Sequence, residues 1–192
     1  MQGPASLSWR PTPLPSRVPM SQRARLPRLV IVEVEIWRSE LMQQRIDPRQ
    51  LVPDLMEAMV ALEQGVAEAG LEPRLRHLVK TRASQINGCA FCIHMHTREA
   101  RSTGESEERL YLLSAWRESP LYSERERAAL AWTEAVTKIA ETGAPAADYE
   151  LLRRHFTEKE AAALTFLIAT INAWNRLAIA FRTLHPMKRE AA

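Results

Sequence analysis

Between residues 53 and 181 apolar positions recur every three or four residues, the spacing that lines one face of an α-helix, and no long run of Val, Ile or Thr alternates with polar residues. Leu55, Met56, Met59, Val60, Leu62 and Val66 make one such stripe and predict a first helix over 53–69, stopped by Gly70. Pro73 suits a first helical turn, where its missing N–H is not needed, and opens a second helix through Leu75, Leu78, Val79 and Ile86 that Asn87-Gly88 closes. Cys89 follows at once, so a third helix begins at that cysteine and runs to about Thr103, ahead of Gly104. A short amphipathic helix around Leu110, Leu112 and Leu113 is expected over 106–117. Ser123 with Glu126, and Thr157 with Glu160, have the spacing of a capping box, in which the two side chains satisfy each other's free backbone N–H groups. They start helices through Ala128, Leu130, Ala135 and Ile139, and from Ala161 to Phe181. Between these lie the breaker Gly143-Ala144-Pro145 and a minor helix over 149–154. The last helix is apolar nearly all round but carries Asn172, Asn175 and Arg176, which predicts a central helix within the domain or between subunits rather than a membrane span. The pattern is that of an all-α single domain of six to seven helices over 42–192.

The segment before it differs. Residues 1–27 hold six of the chain's twelve prolines, mixed with Ser and Arg, too little apolar surface to offset the entropy of ordering, and a disordered arm over 1–41 is expected. Within it, residues 29–37 are β-branched and partly alternating but have no second strand to pair with. They are either a short partner-binding strand or the product of an over-extended gene start with Met42 as the true initiator. The second is favoured, because every feature with chemical meaning lies after Met42.

Charge follows the same division. The formal +3 of the chain comes entirely from the six Arg and three Glu of residues 1–41, leaving twenty residues of each sign in 42–192, so the helical part offers no net positive field to nucleic acid. The N-terminal residues lack a secretory signal pattern, and no uninterrupted apolar run reaches the ~18 residues of a bilayer span, so a cytoplasmic protein without membrane attachment is expected. In that compartment a lone C-x-x-C is more often reactive or metal-binding than a structural staple.

Cys89 and Cys92 sit three apart on a first helical turn, close enough for a disulfide and placed where unpaired N–H groups favour a thiolate. His96, four residues after Cys92, lies over the same face and can exchange a proton with that sulfur. Two other readings are open: an inert buried pair, and a zinc site adding His94 and His96, which a helix disfavours by turning His94 away. Trp116, Trp132 and Trp174 read as core or subunit contacts, and Asn172, Asn175 and Arg176 as interface polar groups. No G-x-G-x-x-G loop follows a strand, so no nucleotide or flavin cofactor is expected.

The segment Ser84-Gln85-x-Asn87-Gly88-Cys89-x-x-Cys92-x-x-x-His96-Thr97-x-x-Ala100, with Arg109-Leu110-Tyr111, Trp116-Arg117, 124–130 and Thr170-x-Asn172-x-Trp174-Asn175-Arg176, resembles the alkylhydroperoxidase core of the carboxymuconolactone decarboxylase-like superfamily. The resemblance implies an all-α homo-oligomer, commonly a trimer or hexamer, with a dithiol cycle. A hydroperoxide is reduced, and a dithiol donor protein or small thiol re-reduces the disulfide. It assigns Cys92 as the peroxidatic thiol, Cys89 as the resolving thiol and His96 to a proton relay. The relay's glutamate, twelve residues before the first cysteine, is His77 here, and a histidine that some members place before the second cysteine is Phe91. With His77 in the catalytic set the relay is expected to be weak, and His77→Glu to speed it. Two alternatives remain: a decarboxylase acting on a lactone acid, whose members generally do not depend on a cysteine pair, and a non-enzymatic redox-sensing oligomer.

Overall fold

Helix succeeds helix through residues 43–186, the part that the computed structural model describes, and no strand occurs among the described residues. The elements are α1 (Pro48–Leu51), α2 (Pro53–Glu68), α3 (Pro73–Asn87), α4 (Ala90–Ser102), α5 (Glu107–Leu112) continuing into a 3₁₀ turn (Leu113–Ala115), α6 (Glu124–Thr137), α7 (Ile139–Thr142), α8 (Ala146–His155) and α9 (Glu158–Phe181). The arm expected over 1–41, the strand-like run 29–37 and Met42 lie outside the described residues.

The all-α reading holds, and the difference in helix number comes from two four-residue helices. In α1, Pro48 follows Asp47, whose carboxylate accepts the Arg49 N–H at 3.0 Å. α7 arises because the helix from Ser123 does not reach Gly143 unbroken: Lys138 leaves helical geometry (φ −102°, ψ 33°), and the Thr142 hydroxyl donates to the Ala135 carbonyl at 2.6 Å. Both expected capping boxes form, at Ser123–Glu126 and Thr157–Glu160.

α3 is the hub, packed against α4, α6 and α9. One side of it, with Leu75 and Val79, joins Trp132 of α6, Leu152 of α8 and Leu164, Leu167 and Ile168 of α9 in the main apolar core. Leu78 joins a second core with Ala100, Leu113, Trp116, Tyr122 and Leu130. Beside it the buried Glu105 carboxylate accepts from Arg74 at 2.9 and 3.0 Å, from Arg109 at 2.8 Å and from the Ser106 N–H at 2.9 Å, so a buried charge is fully paired.

Among the described residues α9 alone has the length and composition of a membrane-crossing helix. Its buried Asn172 and Asn175 are instead committed to neighbours within the bundle. Asn87 donates to Asn172 Oδ1 (2.9 Å) and Asn175 Oδ1 (2.8 Å), Asn175 donates to Ser84 Oγ (3.0 Å), and Asn172 donates to Thr137 Oγ1 (3.1 Å). These two residues therefore tie α9 to α3 and α6 inside one chain rather than across an interface. Trp116 and Trp132 are buried as expected, while Trp174 is half-buried.

The stripe read on α2 behaves otherwise. Only Val66 enters the core, and Leu55, Val60 and Leu62 are 65%, 46% and 41% exposed, because α2 packs mainly along α9 and its outer face is left open among the described residues.

The asparagine network sets a stability expectation. Asn175→Ala removes one hydrogen-bond partner each from Asn87 and buried Ser84 and should lower unfolding free energy by about 1–3 kcal/mol. Urea unfolding followed by circular dichroism measures this; a change below about 0.5 kcal/mol, the scale of an ordinary surface substitution, would mean that water replaces these bonds without loss.

Candidate functional site

The site begins where α3 ends. Gly88 adopts the left-handed conformation (φ 71°, ψ 29°), which costs an L-residue with a Cβ roughly 1–2 kcal/mol and glycine little. The reversal is closed by Gly88 N–H to Gln85 O (3.3 Å) and Cys89 N–H to Ser84 O (3.0 Å). Cys89 is thereby the extended residue that caps α4 (φ −86°, ψ 94°), and its own carbonyl accepts the Ile93 N–H at 2.9 Å. Its sulfur is left among the unpaired N–H groups of the first turn of α4.

Both cysteines are free thiols and both are 1% exposed, packed with Ala83 and Ile171 under Phe91, Trp174 and Ala178. The helix start does not act on them equally. The Cys89 thiol is lowered to about 7, first by the hydrogen bond from the Cys92 side chain, against burial, and then by the Cys92 N–H, the Asn175 amide and the Phe91 N–H. The Cys92 thiol is pushed up, because it is the donor in that bond and is buried beside the charge of Cys89. The pair thus holds one proton near neutral pH, on Cys92, with the negative charge on Cys89.

Two cavities meet at the pair. The larger, about 470 Å³, has Cys92, His96 and Glu99 on its wall, apolar groups from Met56, Met95 and Leu177, and the ion pair of Glu63 with Lys80. Trp174 joins this wall and donates its indole N–H to Glu63 at 3.2 Å. The second, about 400 Å³, is lined by Cys89, Ile179, Leu184 and His185, with Phe91, Ala178 and Thr183 common to both.

His96 is 4% exposed, and its Nδ1 lies 2.8 Å from Glu99 Oε2, one turn further along α4. That bond holds the Glu99 carboxyl below its usual range, against burial and helped by the charges of His96, His77 and Lys80. On α3, His77 Nδ1 is 3.6 Å from the same Oε2, too long for a hydrogen bond, and that buried nitrogen has no hydrogen-bond partner. Burial pushes the His77 imidazole below its ordinary value; Glu99 opposes this, and Lys80, His96 and Arg76 add to it.

Cys89, Cys92, His96 and His77, the four residues singled out in the sequence, therefore lie in one neighbourhood, with His77 connected to it by its 3.6 Å approach to Glu99. His94 stacks on His185 at 4.8 Å between ring centroids, and the candidate metal-ligating cluster among the described residues is His77, His96 and Glu99, without His94 or either cysteine. The residue that sequence reasoning missed is Glu99. A His-x-x-Glu spacing on a helix was its signal, since residues three apart share a face. Asn175 was read as an interface group, and its amide instead faces the cysteine sulfurs.

Titration of the reduced protein by thiolate absorbance should show one thiolate forming near pH 7 and the second only at strongly alkaline pH. Because the folded Cys89 thiol ionises below its ordinary value of 9.0, its ionisation stabilises the reduced fold increasingly as pH rises from about 7 to 9, and that gain is lost as pH falls through 7. Two thiolates titrating together above pH 8 would contradict this arrangement.

Comparison with known proteins agrees with the fold and the motif. Residues 53–135 match the profile of the Carboxymuconolactone decarboxylase family. The uncharacterised protein YdfG of Bacillus subtilis (strain 168) is 41% identical over 139 residues, 72% of this chain and 95% of that one. The crystal structure of ATU0492 from Agrobacterium tumefaciens, a protein of unknown function and a candidate AhpD of antioxidant defence, superimposes with a TM-score of 0.75 at 51% identity, covering 76% of this chain and all of that one (100%). The debrominase Bmp8 shares the fold alone, at 24% identity with a TM-score of 0.64 over 70% of this chain and 72% of its own. The chain belongs to the carboxymuconolactone decarboxylase family, within its alkylhydroperoxidase-like group.

Proposed function

We propose that this chain is a thiol peroxidase that reduces hydroperoxides through a Cys89–Cys92 dithiol cycle. The observation that carries the reading is the division of labour at the pair: Cys92 lies on the wall of a largely apolar cavity with His96 and Glu99, while Cys89 holds the charge that can accept its proton. Cys92 passes its proton to Cys89 along their hydrogen bond and attacks the terminal oxygen of the peroxide. The O–O bond breaks, that oxygen stays on sulfur as a sulfenic acid, and alcohol or water leaves with a proton delivered through His96. Cys89 then attacks the Cys92 sulfur, water departs and the disulfide forms. Two electrons and two protons from a dithiol donor protein or a small thiol restore the pair, with no other cofactor called on. Glu99 takes the part that the family's glutamate plays from the position of His77: it orients His96 through Nδ1 and leaves Nε2 for proton traffic. The setting is the cytoplasm, where thiols are kept reduced. The working unit is a homo-oligomer in which Leu55, Val60 and Leu62 of α2 are covered by another subunit.

The role assignment is tested with tert-butyl hydroperoxide and dithiothreitol. Cys92→Ser should abolish peroxide consumption, and Cys89→Ser should react once and accumulate a sulfenic acid that dimedone traps, read by mass spectrometry. Sulfenate on Cys92→Ser and none on Cys89→Ser would reverse the roles, and turnover by both would end the proposal.

Glu99→Gln should slow stopped-flow oxidation of the reduced protein by about tenfold or more, up to the ~10² to 10⁴-fold that general acid–base help as a whole supplies, and should change the shape of its pH profile. Glu99→Asp should recover part of the rate. His77→Glu should bring no gain, since it would set a second carboxylate beside the one at 3.6 Å. Wild-type rate and pH profile in Glu99→Gln would remove Glu99 from the relay.

A further inference from the structure

His77 is not accounted for by the proton relay. Its Nδ1 is buried, has no hydrogen-bond partner and lies 3.6 Å from the Glu99 carboxylate. A buried nitrogen without a partner is costly and calls for an explanation. Donor atoms of His77, His96 and Glu99 all lie within 4.8 Å of one another. Tetrahedral zinc holds nitrogen and oxygen donors at about 2.0–2.2 Å, which sets such donors about 3.4 Å apart, so the three need to close by little more than an ångström. Glu99, whose side chain is 45% exposed, has room to make that adjustment.

We propose that His77, His96 and Glu99 form a binding site for a divalent metal ion of the zinc class, and that the bound ion withdraws His96 and Glu99 from proton transfer. Two imidazoles and one carboxylate are borderline donors that suit zinc, cobalt or ferrous iron over calcium or magnesium. The three residues come from two helices, α3 and α4, that pack directly on each other, which gives the ligand set a rigid base. Charge agrees with the assignment. Lys80 is paired with Glu63, so the positive charge nearest the site is already balanced and the Glu99 carboxylate is left to face the cation. The His77 Nδ1, buried and without a hydrogen-bond partner, is available as a ligand atom. The fourth position opens to the cavity that Cys92 shares, where water or a small anion completes the coordination. His77 thus becomes a ligand that a glutamate at the same position would replace with a harder donor.

The regulatory half of the proposal rests on the peroxidase reading; the binding half does not, and the experiment separates them. The cysteines are themselves zinc ligands, so binding is measured on Cys89→Ser/Cys92→Ser protein and, without any substitution, on the disulfide form of the native chain. Isothermal titration with Zn²⁺ and the visible absorption of Co²⁺ should both report one equivalent of metal in each. His77→Ala and Glu99→Ala should each weaken binding by at least about tenfold, with the fold checked by circular dichroism, and His94→Ala should leave it unchanged. Zn²⁺ at one equivalent should then slow peroxide oxidation of the reduced native protein, reversed by chelator and absent in His77→Ala. No saturable binding to either thiol-free form, or binding indifferent to His77→Ala, overturns the site. Binding as expected with no effect on the oxidation rate keeps the site and overturns its regulatory role.

Discussion

Everything chemical in this protein depends on the chain reversal at Gly88. Two hydrogen bonds back to the last turn of α3 leave no freedom in how Cys89 is presented, and the left-handed backbone they require excludes most other residues. The result is a sulfur fixed at the start of α4, with the next sulfur one turn on and donating to it. Proximity alone would bring two thiols together; the reversal makes them unequal, one the acceptor of N–H groups and the other the donor. A dithiol centre needs that inequality, because a pair of identical thiols has no preferred site for the charge.

The rest of the bundle serves this arrangement. α3 supplies Ser84, Asn87 and His77 while carrying the apolar residues of two cores, so the site stands on the most heavily packed helix. α9 supplies Asn175, whose amide reaches Ser84 and the sulfurs together. The cost of burying asparagines in an apolar helix is offset by full hydrogen bonding, and the network couples the position of α9 to the charge on the cysteine pair.

Much of this was legible in the sequence, for definite reasons. Caps and breakers act locally, so Pro73, Gly88, Ser123 and Thr157 place helix ends without knowledge of the tertiary structure, and each is found where it was read. The long-range facts were not legible. The stripe on α2 has the periodicity of a core helix, and periodicity cannot say whether the covering surface belongs to the same chain. Glu99 was passed over because the family pattern puts its carboxylate on another helix, and only the folded arrangement shows a carboxylate of α4 meeting His96 at 2.8 Å while facing His77 on α3. The direction of the thiol shifts was hidden too, since it turns on which sulfur donates to the other.

One residue takes on a meaning that its neighbours do not. Phe91 lies between the cysteines in sequence and lines both cavities, the one that Cys92 lines and the one that Cys89 lines. The two thiols share a hydrogen bond and line different cavities. In the proposed cycle an oxidant arriving at Cys92 and a reductant arriving at Cys89 would not have to queue for the same doorway.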